Sequence, residues 1–230
     1  MPDLPTAVMM FAAGFGTRMG ALVVDRPKPM IEVAGRPLID HTLALAQAIT
    51  PQRVVANLHY KPEPLQAHLE PLGVTCTLET PQILETGGGL RHARPLLGAV
   101  PVFTTNTDAI WRGPNPFALL RDAWDPDRME ALLACIPTES AIGHKGSGDF
   151  DLDTDGRLQR GTALVYGGIQ IIKTDRLQAI PQEAFSLNLV WDQMLADGGL
   201  FGLRYPGRWC DVGHPGGIDL AEALLGAPDV

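Results

Sequence analysis

The stretch Ala7-Val8-Met9-Met10-Phe11-Ala12-Ala13-Gly14-Phe15-Gly16-Thr17-Arg18 decides the fold. Its first seven residues form an unbroken apolar run, the pattern of a strand buried on both faces, as in a parallel sheet. The run ends in a glycine loop carrying an arginine. Glycines at that point let the backbone approach a ligand closely, and their exposed N–H groups can hold phosphate.

Outward from this strand, helix and strand patterns alternate. An Ala/Leu-rich helix is expected over 38–49, stopped by Pro51, then a strand over 54–58 and a short helix over 64–69 entered through Pro64. A strand at 74–78, a glycine-led helix at 86–97 and a strand at 102–105 come next. That spacing suits βαβ units. The alternation then loosens. A helix is expected at 115–124, a strand at 131–136, Gly/Asp-rich loops and short hairpins at 143–155, and a strand at 163–173 around Gly167-Gly168. A helix at 187–195, a strand at 201–205 and a helix at 218–225 close the pattern. With no internal repeat and no Pro/Ser/Gly linker, residues 1–230 read as one α/β domain, with a Rossmann-like, mostly parallel central sheet flanked by helices.

The 230 residues are 45% hydrophobic and 19% charged, ordinary for a globular chain. The net charge of −8 provides no global positive field to attract phosphate polymers or anionic membranes. No nucleic-acid or membrane partner is therefore expected. Cys76, Cys135 and Cys210 lie far apart with no CxxC pair, so zinc ribbons and disulfide frameworks are not expected and a reducing compartment fits. The apolar run 7–13 is too short to span a bilayer and lacks a charged leader region. A cytoplasmic location is the expectation.

The glycine loop is not a Walker A motif, because no Gly-Lys-Ser/Thr closes it. Nor is it a dinucleotide fingerprint. Met19 stands where the third glycine belongs, and the second strand ends in Asn57-Leu58-His59, without an acidic residue for a ribose. The segment just after the loop is more telling. Arg18, Arg26, Lys28 and Arg36 face only Asp25 and Glu32 over this stretch, a local positive charge suited to a triphosphate.

The segments Ala12-Ala13-Gly14-Phe15-Gly16-Thr17-Arg18-Met19, Arg26-Pro27-Lys28-Pro29-Met30 and Val33-Ala34-Gly35-Arg36-Pro37-Leu38-Ile39 together resemble the signature of the sugar-1-phosphate nucleotidyltransferases. Within that family, Leu84-Glu85-Thr86-Gly87-Gly88-Gly89 and Gly148-Asp149-Phe150 resemble the short bacterial N-acetylmuramate-1-phosphate uridylyltransferases of cell-wall recycling. The resemblance runs from about residue 7 to residue 225. There are two departures. Gly20-Ala21-Leu22-Val23 replaces a basic residue followed by Pro-Leu-Thr, which removes one proline restraint. In Asn106-Thr107-Asp108, threonine stands where the family has glycine.

The resemblance implies an NTP and a sugar-1-phosphate as substrates, with a nucleotide-binding half at about 1–112 and a sugar-binding half at about 113–230. It implies that Arg18 and Lys28 are the catalytic cations. Ala12, Ala13, Gly14, Gly16 and Thr17 would line the nucleotide, while Gln82, Glu85 and Thr86 could reach the base edge. It also implies that Asp108 and Asp211 hold Mg2+, a hard cation that takes oxygen ligands and shares itself with phosphate. From the residues alone, a turn or capping aspartate at 108 and a buried hydrogen-bonded one at 211 stay open. For the sugar the candidates are Asn106, Asp149, the Tyr166-Gly167-Gly168 turn with Gly168 nearest the hexose, and Asn188 by location.

His214 comes just after the Asp211 motif and could stand near phosphate, whereas His41, His59, His68, His92 and His144 read as surface or packing residues. The four tryptophans and three cysteines read as packing. The expected reaction is in-line attack of the sugar-phosphate oxygen on the α-phosphorus, with UTP and N-acetylmuramate-1-phosphate as the leading pair. Other acceptors or bases (mannose-, heptose- or glucose-1-phosphate, phosphocholine) keep the same chemistry. A nucleotide sensor without turnover is the reading from another class. A metal-dependent glycosyltransferase is disfavoured by the missing Asp-x-Asp. No hexapeptide repeat occurs, so no acyltransferase activity is expected, and a monomer or weak homodimer is.

Overall fold

In the computed structural model, which describes residues 4–98 and 101–228, alternate residues of the first strand pack into two different cores. Val8 and Met10 face one side of the central sheet and Ala7 and Met9 the other, all fully buried. Both faces must therefore be covered, and helices do this.

In chain order the elements are β1 (Ala7–Phe11), the two-residue strands β2 (Glu32–Val33) and β3 (Arg36–Pro37), α1 (Leu38–Gln47), β4 (Arg53–Leu58), α2 (Pro62–Leu69), β5 (Thr75–Leu78) and α3 (Glu85–Leu97). Next come β6 (Val102–Asn106), β7 (Ala109–Arg112), α4 (Pro116–Ala123), β8 (Ala131–Pro137), β9 (Ala141–Ile142), β10 (Phe150–Leu152), β11 (Leu158–Arg160) and β12 (Leu164–Ile172). The last elements are α5 (Asn188–Ala196), β13 (Leu200–Arg204), β14 (Arg208–Asp211) and α6 (Gly216–Gly226). Every helix and strand expected from the pattern is present, with ends shifted by one or two residues.

The path through the main sheet runs β11-β10-β12-β6-β1-β4-β5, and β8 and β13 extend it from β12. Strands β6, β1, β4 and β5 run parallel to one another. The later half is mixed, because β12 runs antiparallel to both β6 and β8. Helices α1, α2 and α4 supply Ile39, Leu43, Leu65, Phe117 and Leu120 to one core, and α3 and α5 supply Leu90, Leu97, Val190 and Met194 to the other. The α4 terminus is capped as its residues dictate: Asn115 Oδ1 accepts from the Phe117 N–H at 2.9 Å, ahead of Pro116.

Two features of this topology make the site. First, β12 pairs with β6 at one end and β10 at the other, along the same edge. Between them its register shifts at Tyr166/Gln170, around Gly167-Gly168. Gly168 holds a φ of +101°, and a Cβ there would lie 3.1 Å from Asn106 Cβ, so the strand can pass the end of β6 only as glycine. Second, a small separate sheet, ordered β7-β14-β9, folds up beside the carboxyl end of β6. The pattern did not reveal β7 or β14, and β14 is the strand that carries Asp211.

A two-compartment candidate active site

The end of β1 is held by a chain of buried polar contacts. The Ala12 N–H donates to Asn57 Oδ1 at 2.9 Å, and Asn57 Nδ2 donates to Glu79 Oε1 at 2.6 Å. The other Glu79 oxygen accepts from the Leu84 N–H at 2.7 Å. Glu79 is 1% exposed. These bonds tie the root of the glycine loop to the segment entering α3. Neither Asn57 nor Glu79 was among the expected site residues. The only signal for them was a polar residue at the end of each of two apolar strands.

The loop itself folds over Lys28. Gly16 has a φ of +64°, and a Cβ there would lie 2.7 Å from Lys28 Cβ. Gly20, with φ 58° and ψ −126°, kinks the 3-10 turn Thr17–Val23 between two buried anchors, Met19 and Val23. Tyr60 donates its hydroxyl to the Val23 carbonyl at 3.0 Å. These contacts take the place of the missing proline. At the second departure, Thr107 has no left-handed backbone, and its hydroxyl donates to the Phe11 carbonyl at 2.9 Å. Threonine therefore fits where a glycine was expected, and it adds a bond between β1 and the end of β6.

The two aspartates, far apart in sequence, are brought together by the small sheet. Asp211 stands opposite Ala109 in the ladder, and the Val212 N–H donates to the Asp108 carbonyl at 2.9 Å. Lys28 Nζ reaches Asp108 Oδ2 at 2.6 Å. Burial raises the Asp211 carboxyl above its ordinary range, and the Asp108 charge pushes the same way, against Lys28, Arg18 and His144. Two facing carboxylates, one of them partly desolvated, make a donor set that suits a hard divalent cation completed by phosphate and water oxygens. Among the described residues no cluster of three or more His, Cys, Asp or Glu could hold a metal by itself.

A cleft of about 320 Å³ opens over these groups. Among the candidate residues it is lined by Ala12, Ala13, Gly14, Gly16, Thr17, Arg18, Lys28, Glu85, Thr86 and Asp108, and by Asn106, a candidate for the sugar side; Asn57, Ile83, Thr107 and Gly213 line it as well. Gln82 does not line it. That side chain is exposed, and Ile83 takes its place on the wall because the turn points Gln82 outward. Asp211 lies just beyond Gly213: a Cβ on Gly213 would be 2.7 Å from Asp211 Oδ2 and 3.1 Å from an Arg18 nitrogen.

A second compartment of about 240 Å³ adjoins the first, sharing Phe11, Thr86 and Asn106 with it. Asp149 and Asn188 line it as expected, along with Tyr166, Ser186, Leu187 and Trp191. Gly168 does not line it but packs against Asn106. Asp149 Oδ2 accepts from the Tyr166 N–H at 2.8 Å. The Asn188 amide accepts from Arg160 at 2.9 Å and donates to Ser186 Oγ at 3.1 Å. Beneath this compartment, the fully buried Gln170 accepts from Trp191 Nε1 at 3.0 Å and donates to Thr104 Oγ1 at 3.0 Å. A lone amide in Ile169-Gln170-Ile171-Ile172 was the available sign of that network.

The tryptophans, cysteines and histidines mostly pack, as their positions in the chain suggest. All four tryptophans are buried, and Trp191 is a wall of the second compartment. Burial pushes the Cys76 and Cys210 thiols up to about 11 and Cys135 to about 12, as inert packing residues require. His59, His68 and His144 bond to the Glu79 carbonyl, Asp40 and the Ser147 carbonyl. The His214 Nε2 is buried without a hydrogen-bond partner. No helix among the described residues is long and apolar enough to cross a membrane.

Comparison with known proteins bears on the family and the fold. Residues 8–149 match the MobA-like NTP transferase domain family. The chain is 39% identical to an N-acetylmuramate alpha-1-phosphate uridylyltransferase of Caulobacter vibrioides, over 98% of this chain and 99% of that protein. It is 28% identical to the enzyme of that name from Neisseria meningitidis, over 95% and 98%. The crystal structure of HddC from Yersinia pseudotuberculosis complexed with GMP-PN superposes with a TM-score of 0.76 at 21% identity, over 94% of this chain and 98% of that one, and shares the fold. The chain belongs to the MobA-like NTP transferase family, among the sugar-1-phosphate nucleotidyltransferases.

Proposed function

We propose that the protein transfers a uridylyl group from UTP to N-acetylmuramate-1-phosphate, giving a UDP-sugar and pyrophosphate. The observation that carries this reading is the pair of joined compartments, with the Lys28–Asp108 contact at the wall of one and polar Asp149 and Asn188 in the other. The relatives named for this reaction, similar over nearly the whole chain, support the choice of base and acceptor.

In the reaction, a phosphate oxygen of the sugar-1-phosphate attacks the α-phosphorus in line. The bond from that phosphorus to the bridging oxygen breaks, and pyrophosphate leaves with the electron pair. No covalent enzyme intermediate is needed, so the protein acts by positioning and charge neutralisation. Gly14, Gly16 and Thr17 cradle the phosphates, Arg18 and Lys28 offset their charge, and Asn106 stands where the compartments meet. Asp108 and Asp211 would hold Mg2+, which supplies charge neutralisation at the phosphates when bound. Asp149 would accept hydrogen bonds from sugar hydroxyls. We read residues 1–230 as one nucleotidyltransferase domain, halved at about residue 112, acting in the cytoplasm in cell-wall recycling as a monomer or weak homodimer.

The test is pyrophosphate release across UTP, dTTP, CTP, GTP and ATP with a panel of sugar-1-phosphates, with and without magnesium. Release that needs UTP, N-acetylmuramate-1-phosphate and magnesium together is the expected result. Release with another pair would move the substrate assignment and keep the reaction. Nucleotide binding without any release would leave a sensor.

A further inference from the structure

Gly87 and Gly88, near the start of α3, are not among the residues that line either compartment. Helix N-termini leave backbone N–H groups unpaired, and here those of Gly87 and Gly88 both donate to the Phe185 carbonyl, at 2.8 and 3.1 Å. A Cβ on Gly87 would lie 2.4 Å from the Phe185 ring, and one on Gly88 would lie 2.5 Å from the Glu183 carbonyl. The Phe185 N–H donates back to the Leu84 carbonyl at 3.1 Å, and the Leu187 N–H donates to Thr86 Oγ1 at 3.0 Å. Gly87 and Gly88 thus form a seat for the segment around residues 183–187, while Gly89 packs against Glu79 and Asn57. That segment runs directly into Ser186, Leu187 and Asn188, one wall of the second compartment.

One side chain holds this segment down. The Arg91 guanidinium, nearly two turns into α3, donates to the carbonyls of Leu177 and Ile180 through one nitrogen, at 3.3 and 2.6 Å. Through the other it donates to Gln182 and Glu183, at 2.5 and 3.1 Å. It also stacks 4.8 Å over the Phe185 ring. A planar fork can serve four carbonyls in this way, whereas an ammonium cannot. None of these partners is a carboxylate: the guanidinium holds four backbone carbonyls and one aromatic ring.

We propose that Arg91 is a positioning residue for the acceptor. By clamping residues 177–183 onto α3 it sets the wall formed by Ser186, Leu187 and Asn188. The proposal rests on the two-substrate reading of the site and assigns Arg91 to one substrate. The clamped segment runs into Ser186, Leu187 and Asn188 of the second compartment, while the Lys28–Asp108 side of the site is held by other elements.

The experiment measures KM for each substrate separately, together with kcat, in wild type, Arg91→Ala and Arg91→Lys. Arg91→Ala is expected to raise the acceptor KM by about tenfold or more, the size of one charge-assisted hydrogen bond, with the UTP KM within about twofold of wild type. Arg91→Lys, which keeps the charge and loses the fork, should recover only part of the loss. Thr86→Val removes the single bond to Leu187 and, because Thr86 also lines the nucleotide cleft, is read by hydrogen exchange at 183–188 and not by KM; Arg91→Lys carries the KM comparison should Arg91→Ala fail to fold. Hydrogen exchange should quicken at the amides of 183–188 in Arg91→Ala and stay unchanged in β1 and β4. Equal effects on both KM values, or none on either, would overturn the proposal. A wild type that released no pyrophosphate would instead sink the reaction reading, and the loss or retention of sugar-phosphate protection at 183–188 in Arg91→Ala would then decide the clamp.

Discussion

Lys28 Nζ lies 2.6 Å from Asp108 Oδ2, joining the segment after the glycine loop to the end of β6. The contact places a cation and a carboxylate together at the cleft wall, with Asp211 behind them. Lys28→Met and Asp108→Asn should each lower turnover by about a hundredfold or more, the usual cost of removing one charge-stabilising group from a transition state. Pyrophosphate release checks this, with circular dichroism to confirm the fold. Near-wild-type release by a folded Asp108→Asn protein would take that residue out of the site.

The two loop glycines should behave differently. Gly16→Ala places a Cβ in a left-handed backbone and 2.7 Å from Lys28 Cβ, so it should cost about 1–2 kcal/mol for the backbone alone and displace Lys28. Gly14 has ordinary backbone angles and nothing within 4 Å of a Cβ, so Gly14→Ala should leave the denaturation midpoint unchanged. Any rise in the UTP KM of Gly14→Ala then reports how closely the nucleotide approaches that backbone. A large loss of stability in Gly14→Ala would contradict this role for the loop.

Asn57→Ala strands two buried partners, the Ala12 N–H and a Glu79 oxygen. The expected destabilisation in urea is about 2–4 kcal/mol, because each buried polar group left unpaired costs about 1–3 kcal/mol. The UTP KM should rise more than the acceptor KM, since the freed element is the root of the nucleotide loop.

A pH dependence of stability arises from His41. Burial lowers its pKa from the ordinary 6.5, outweighing the hydrogen bond to the Val33 carbonyl. As pH falls through about 6.5 the unfolded chain takes up that proton before the folded one. The His41 contribution is therefore complete above that value and declines as the pH drops toward the folded pKa. In urea titrations between about pH 7.5 and 5, His41→Gln should show a shallower decline than wild type. Parallel curves would show that His41 carries no such linkage.

Much of the site was legible in the chain because its signals are local. The apolar run into Gly14-Phe15-Gly16, the basic residues after it and the Thr86-Gly87 turn each show their character within a few positions. The cleft accordingly collects Ala12 to Arg18, Lys28, Glu85 and Thr86. Asn57, Glu79 and Gln170 were not legible, because a buried polar residue looks like an interruption until its partner from another strand is known. The triple glycine was half legible. It read as the start of a helix and as part of the family-like segment, but nothing near it in the chain showed that Gly87 and Gly88 receive the Phe185 backbone, 98 and 97 residues further on.

By itself the sequence determined the periodicities, and with them a three-layer arrangement. A strand apolar at every position needs cover on both faces, and the amphipathic helices between the strands supply it. It also determined a positively charged glycine loop at the carboxyl end of the first strand. The resemblance paired Asp211 with Asp108, but only the tertiary structure decided how they meet, through a small sheet whose short strands carry no periodic signal of their own. Only the tertiary structure decided that β12 splits its edge between β6 and β10 and so opens a second compartment beside the first. Pairing between distant strands depends on which edges remain free once the rest of the chain has packed, and no window of residues along the chain carries that information.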